Sequence, residues 1–201
     1  MNHLSTIRTY SLIERWAESP VDCHVFVRCQ LEKKSFVFEF DVEESMSCFR
    51  LIHDHDGAEC WEDSCVEVFL RSGVEPKRYF NFECNAGGHI LAEEGAARQG
   101  RRRFSQAEYA RIDRHAEILT KTPDHVHWRL TVAIPCDMIG VSSEEMLWGN
   151  LYKCASKAAN IHYLSAFEVA SLTPDFHRPE SFQPIFSACA SCDRNSSSVQ
   201  S

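Results

Sequence analysis

Long apolar runs are missing from this chain of 201 residues, and no stretch approaches the roughly 20 apolar residues that cross a bilayer. A membrane is therefore not expected as its partner. Positive charge is also in deficit: 21 Lys and Arg stand against 29 Asp and Glu, a formal net charge of -8. Nucleic-acid phosphates would be repelled everywhere except at a local basic patch, so no nucleic-acid partner is expected. Residues 1–20 hold no apolar signal core, because Arg8, Glu14 and Arg15 interrupt it. The chain as given is thus read as cytoplasmic, unless a signal has been removed. No G-x-S-x-G, phosphate-binding loop, H-E-x-x-H or G-x-G-x-x-G occurs, and there is no internal repeat.

What is there suits one globular domain over residues 1–187. A hydrophobic content of 44% and a charged content of 25% are ordinary for such a domain, and the length allows a core without disulfides. Most of the ten cysteines fall inside strand patterns, and Cys29, Cys65, Cys84, Cys136 and Cys154 read as small buried hydrophobes. Cys189 and Cys192 make the only C-x-x-C pair, in a Ser/Asn-rich stretch without a second pair or a nearby His. Residues 188–201 are read as a disordered tail rather than a zinc site.

Alternation of apolar and polar residues marks strands over 24–29 and 36–42, the latter with Phe36, Phe38, Phe40 and Val42 on one face. Residues 46–53 are expected to form another strand, and 109–119 fit either a strand or a helix. Over 126–134, Trp128, Leu130, Val132 and Ile134 share a face. Residues 135–140 read as one helical turn stopped by Gly140. Strand 149–155 follows, and 160–187 closes the domain. The expected fold is all-β: an antiparallel β-sandwich of jelly-roll or immunoglobulin-like topology with one or two short helical turns.

Residues 61–88 carry the most information. Residues 61–70 read WEDSCVEVFL and residues 79–88 read YFNFECNAGG, with a Gly/Pro loop between. Val66, Val68 and Leu70 share one face of the first strand, and Cys65, Glu67 and Phe69 the other. In the second strand, Phe80, Phe82 and Cys84 oppose Tyr79, Asn81, Glu83 and Asn85. One face suits a core and the other a ligand surface. This segment resembles carbohydrate-binding module family 9, and more closely the family-9-like domains of free-standing bacterial proteins. The resemblance rests on Trp61, Asp63, Ser64, Val66, Glu67 and Phe69, then on Tyr79, Phe82, Asn85 and Gly88. Three later segments extend it in order: HWRLTVAIP at 127–135, GNLYKC at 149–154, and PDFHRPESF at 174–182.

The resemblance implies non-catalytic sugar binding. In such modules two tryptophans sandwich the end of a glycan, and an acidic residue six positions after the first contacts hydroxyls. Trp61 and Glu67 would take two of those places. Phe167 or Tyr163 would supply the second face, where relatives often carry tryptophan. Asn81, Glu83 and Asn85 on the neighbouring strand offer further polar atoms. Plainer readings stand beside these: Trp61 as a core residue capping the sandwich, Glu67 as a solvated strand glutamate, and Asn81, Glu83 and Asn85 as solvent-facing or hairpin-stabilising residues. One indole face burying about 60–80 Å² of sugar contributes only about 1.5–2 kcal/mol at about 25 cal/mol per Å². A millimolar complex needs about 4 kcal/mol, so a second ring or several hydrogen bonds must add to it.

Other groups are weaker candidates. Arg101, Arg102 and Arg103 read as a solvated basic loop, or as a patch for an acidic sugar or phosphate. His53, Asp54, His55 and Asp56 are too close in sequence to converge on one metal ion. His177 reads as a hydrogen-bonded structural residue. No cofactor is expected, although the acidic loops permit the structural calcium known in family 9 modules. Two alternatives stay open beside sugar binding: a glycoside hydrolase or lyase using the acidic residues near Trp61, and an interaction scaffold with a protein partner.

Overall fold

The computed structural model describes residues 7–17, 20–73, 77–142 and 145–186. The expected tail and the Cys189/Cys192 pair lie outside the described residues. Among the described residues thirteen strands run β1 (Arg8–Ser11), β2 (Ile13–Glu14), β3 (Cys23–Glu32), β4 (Ser35–Ser45), β5 (Cys65–Ser72), β6 (Tyr79–Asn85), β7 (Ile90–Gly95), β8 (Arg102–Arg103), β9 (Asp113–Lys121), β10 (His125–Pro135), β11 (Leu147–Cys154), β12 (Tyr163–Ser165) and β13 (Gln183–Phe186). One short helix, α1 (Gln106–Tyr109), precedes β9. The open choice over 109–119 thus resolves as strand from Asp113 onward, with only Tyr109 belonging to the helix. The Ser105 hydroxyl accepts from the Glu108 N–H and the Glu108 carboxylate accepts from the Ser105 N–H, a capping box that starts α1.

The strands form the two antiparallel sheets of a β-sandwich. The smaller has the order β1-β3-β4-β10-β9, and the larger the order β2-β12-β11-β5-β6-β7-β8, with β13 also pairing β11. Phe36, Phe38, Phe40 and Val42 of β4 and Trp128, Leu130, Val132 and Ile134 of β10 meet Val66, Val68, Leu70, Phe80 and Phe82 of the larger sheet in one core. Residues 136–139 make a 3-10 turn that ends at Gly140, whose φ of 66° lies in the left-handed region. Among the described residues no helix is long and apolar enough to cross a membrane.

Residues 46–53 are not a strand. Their backbone donors are drawn to other acceptors: Met46 N–H to the Asp124 carbonyl, Cys48 and Phe49 N–H to the Ser45 carbonyl. Arg50 N–H goes to Ser64 Oγ, and Ile52 and His53 N–H to the Asp63 carboxylate. A segment whose N–H groups are satisfied this way forms no sheet ladder. The stretch 95–103 is likewise no free loop, because the Arg101 side chain is buried and Arg102 and Arg103 form β8 against β7.

The sheets are tied by a buried ion pair. Lys153 of β11 and Glu44 of β4 are both 0% exposed. The Lys153 ammonium donates to Glu44 Oε2 at 3.0 Å, to the Cys154 carbonyl at 3.1 Å and to His162 Nε2 at 2.8 Å. All three of its donors are used. Trp128 Nε1 donates to the other Glu44 oxygen at 2.8 Å. Burial opposes both charges, yet their attraction holds Glu44 below its ordinary value and Lys153 above its own. Burial and the adjacent ammonium push His162 down to about 4, so it is neutral and serves as acceptor.

Losing one partner of such a pair leaves an uncompensated buried charge. Lys153→Met is expected to cost about 3–5 kcal/mol. Glu44→Gln/Lys153→Met, which keeps an acceptor for Trp128, should cost less than Lys153→Met alone. Urea unfolding of the two variants checks the order.

Candidate functional site

Both faces of the larger sheet are covered at its centre, where every residue of β6 is buried. The face turned away from the first core carries a second cluster, made of Cys60, Cys65, Phe69, Tyr79, Leu91, Tyr152, Cys154, Val169, Phe176 and Phe182. Residues 166–182 lie across it, with Phe176 stacked on Tyr152 at 4.0 Å between centroids and 11° between planes. The polar candidates sit inside this second cluster, not on an open sheet.

Trp61 stands at its rim, held by the loop before β5. Asp63 is fully buried and accepts four donors. Arg50 Nη1 binds one carboxylate oxygen; Ile52 N–H (3.1 Å), His53 N–H (2.9 Å) and Asn85 Nδ2 (3.1 Å) bind the other. Asn85 Nδ2 also donates to the His53 carbonyl at 2.9 Å. Asp63, Ser64 and Asn85 are therefore positioning residues for the turn Cys60–Glu62, which carries Trp61. The half-buried indole donates from Nε1 to Glu59 Oε2 at 2.7 Å. Glu59 in turn accepts from Arg103, and Arg103 donates to Glu93 at 3.0 Å.

The floor is built by strand register. Glu67 of β5 pairs with Glu83 of β6 on one side and with Tyr152 of β11 on the other. Glu67 Oε1 accepts the Cys154 thiol at 3.1 Å. Glu83 Oε1 accepts from Asn81 Nδ2 at 2.8 Å, and Asn81 Oδ1 accepts from Arg101 Nε at 3.0 Å. Arg101 covers Tyr79, 4.1 Å from the ring centroid, and its Nη2 donates to the Tyr79 and Glu93 carbonyls. Glu83 Oε2 is buried and has no hydrogen-bond partner among the described residues. Desolvation, then the neighbouring Cys154, pushes the Glu67 carboxyl well above its ordinary range. Desolvation and then Glu67 do the same to Glu83. Two acids opposite one another in a dry setting cannot both ionise cheaply. In protonated form each offers a donor as well as an acceptor.

The structure brings together Trp61, Glu67, Asn81 and Glu83, with Asn85 behind them. It does not bring Phe167 to them. Asn150 bonds both the N–H and the carbonyl of Phe167, which turns the ring toward Tyr10, 5.3 Å away at the first core. Tyr163, the other option, does lie on the cluster side, half-buried and paired with Cys154. Trp16 joins it, 6.5 Å between ring centroids, with its indole N–H on the Ser171 carbonyl at 3.0 Å. Nothing local in the sequence announces Trp16, because its partners lie some 150 residues away. Arg101 was hidden within a basic run that reads as solvated. His177 is structural as expected: Tyr79 Oη and His177 Nδ1 share a hydrogen bond of 2.9 Å, and burial holds the ring down at about 4. In the 53–56 run, Asp56 is taken by Arg114 at 2.7 Å and His53 faces Glu62 at 3.1 Å, so these groups do not converge on an ion.

The raised Glu83 carboxyl makes a signed prediction. Its stabilising contribution is fully present below the unfolded value near 4.5 and is lost as pH rises through the higher folded value. Glu83→Gln cannot ionise, so relative to the parent it should gain stability with pH in that window, with a limiting slope of about 1.4 kcal/mol per unit. Urea unfolding across the range from mildly acid to mildly alkaline reads this difference.

Comparison with curated proteins yields no match. Among solved structures, a proposed carbohydrate-binding protein from Bacteroides uniformis superimposes with a TM-score of 0.78 and 27% identity, covering 88% of this chain and 84% of that one. A family 9 carbohydrate-binding module from Caldicellulosiruptor kristjanssonii, in complex with cellotriose, shares the fold at a TM-score of 0.55 and 9% identity. It covers 88% of this chain and 80% of that one. A family model for carbohydrate-binding family 9 matches residues 6–186. The chain belongs to carbohydrate-binding family 9.

Proposed function

We propose that this protein binds carbohydrate, without transforming it, at the rim and floor formed by Trp61, Glu67, Asn81 and Glu83, with Tyr163 and Trp16 nearby. The observation that carries the reading is Glu83 Oε2, a buried carboxyl oxygen unpartnered among the described residues, in a strand whose outer face belongs to the cluster that the half-buried Trp61 indole packs against. An unmet buried polar group costs about 1–3 kcal/mol, and a sugar hydroxyl, which can both donate and accept, would relieve that cost. The indole supplies the complementary apolar face for pyranose C–H groups.

The magnitudes point to weak binding. One aromatic face at about 1.5–2 kcal/mol and two or three hydrogen bonds at about 0.5–1.5 kcal/mol each reach the 4 kcal/mol or so of a millimolar complex. The family 9 module of the same fold that holds cellotriose makes short glucose oligosaccharides the first ligands to try.

A second reading has one observation in its favour. A carboxyl with a raised pKa opposite a second carboxyl is an arrangement that glycoside hydrolysis uses for its acid and its partner. The two readings separate in one calorimetric titration of cellotriose, xylose-, galactose- and uronate-based oligosaccharides. Saturable heats for the wild type, lost in Trp61→Ala and weakened in Glu67→Gln, are expected. Heats that persist at a constant rate after each injection would transfer the site to catalysis. No heat from a folded wild type at millimolar ligand would leave the face as an interaction surface.

A further inference from the structure

Among the described residues two triads of metal-ligating side chains lie on opposite faces of β11. The first, Cys23, Glu44 and His162, already holds a cation, because the Lys153 ammonium bonds both Glu44 and His162. The second is Cys65, Glu67 and Cys154, with ligand atoms all within 4.8 Å of one another. Among the described residues no basic side chain forms an ion pair with Glu67.

We infer that Cys65, Glu67 and Cys154 form a binding site for a thiophilic divalent cation of the zinc class. Register makes the geometry. Cys65 and Cys154 are direct cross-strand partners, and Glu67 follows Cys65 by two positions and so shares its face. The Cys154 thiol already points at Glu67 Oε1 at 3.1 Å and at the Trp61 carbonyl at 3.4 Å. Two sulfurs and one carboxylate oxygen select zinc or cadmium over calcium or magnesium, which prefer all-oxygen sites. Burial favours the protonated thiol of Cys65 and the protonated Glu67 carboxyl. The metal therefore displaces protons: two from the thiols and one from the carboxyl pass to solvent as three anionic ligands form. With the divalent ion bound the three ligands and the metal carry one net negative charge, where the fully protonated site is neutral. The site shares Glu67 with the proposed sugar face, but its test does not depend on sugar binding.

The test uses the full chain with Cys189→Ser and Cys192→Ser, so that the terminal pair stays silent, reduced with a non-thiol phosphine and freed of metal. Cadmium titration should produce a thiolate-to-metal charge-transfer band saturating at one equivalent, with proton release. Zinc should raise the unfolding temperature. Cys65→Ala and Cys154→Ala should each lose the one-equivalent band and the thermal shift. Glu67→Gln, a near-isosteric change, should keep the band at reduced affinity. Absence of a band in the folded parent overturns the inference. So does a band that survives undiminished in both cysteine variants, which would place the metal on other thiols. Should a cysteine variant fail to fold, Glu67→Gln decides: unchanged affinity and proton count would remove Glu67 from the site.

Discussion

The contact on which the rest depends is the buried pair of Lys153 and Glu44. β11 lies between β5 and β12, and its side chains alternate between the two faces of the larger sheet. With Lys153 held on the inner face by Glu44, its neighbours Tyr152 and Cys154 must point to the outer face. A slip of one residue would exchange the two sets, putting an ammonium in the second cluster and an aromatic ring where Glu44 waits. A hydrophobic pair in place of Lys153 and Glu44 could serve packing equally well, but it would not penalise that slip so heavily. The ion pair thereby sets the register that places Glu67 between Tyr152 and Glu83.

The larger sheet thus separates two tasks by face. Its inner face is apolar and joins the sandwich core; its outer face mixes rings with carboxyls, amides and thiols under residues 166–182. The polar groups in that second cluster are mostly satisfied; Glu83 Oε2 is one of the few buried side-chain atoms among the described residues without a hydrogen-bond partner, with Ser156 Oγ and Arg178 Nε. Stability is given up at the place where a ligand is expected, which is where conflicts between folding and binding tend to collect. Around it, Asp63 and Asn85 on one side and Arg101 on the other hold the backbone through hydrogen bonds, so the floor rests on regular strands and the rim on the braced turn Cys60–Glu62.

Several motif residues proved to be architectural. Asp63 and Ser64 gather the N–H groups of Arg50, Ile52 and His53, and Gly149 is required by space: a Cβ there would stand 2.2 Å from the Phe69 carbonyl oxygen. The failure at 46–53 has the same origin. Its apolar residues resemble a strand, but acceptors distant in sequence take its donors. Arg101 misleads for a related reason, since a run of three arginines looks solvated while the middle of the sheet offers the first of them an amide oxygen and two carbonyls.

By itself the sequence determined the all-β class, the strands β3, β4, β5, β6, β10 and β11, and the clustering of Trp61, Glu67, Asn81 and Glu83. Each of these follows from side-chain alternation over a few residues, or from two strands joined by a short connection, and such relations are local. Only the tertiary structure decided that the second face is covered, that Phe167 turns to the sandwich core while Tyr163 and Trp16 pack on the second cluster, and that Cys154 reaches Glu67. Those outcomes depend on which strands lie side by side and on how residues 166–182 return across the sheet. Desolvation and long-range hydrogen bonding, which set the state of Glu67 and Glu83, arise only when segments far apart in the chain close over them.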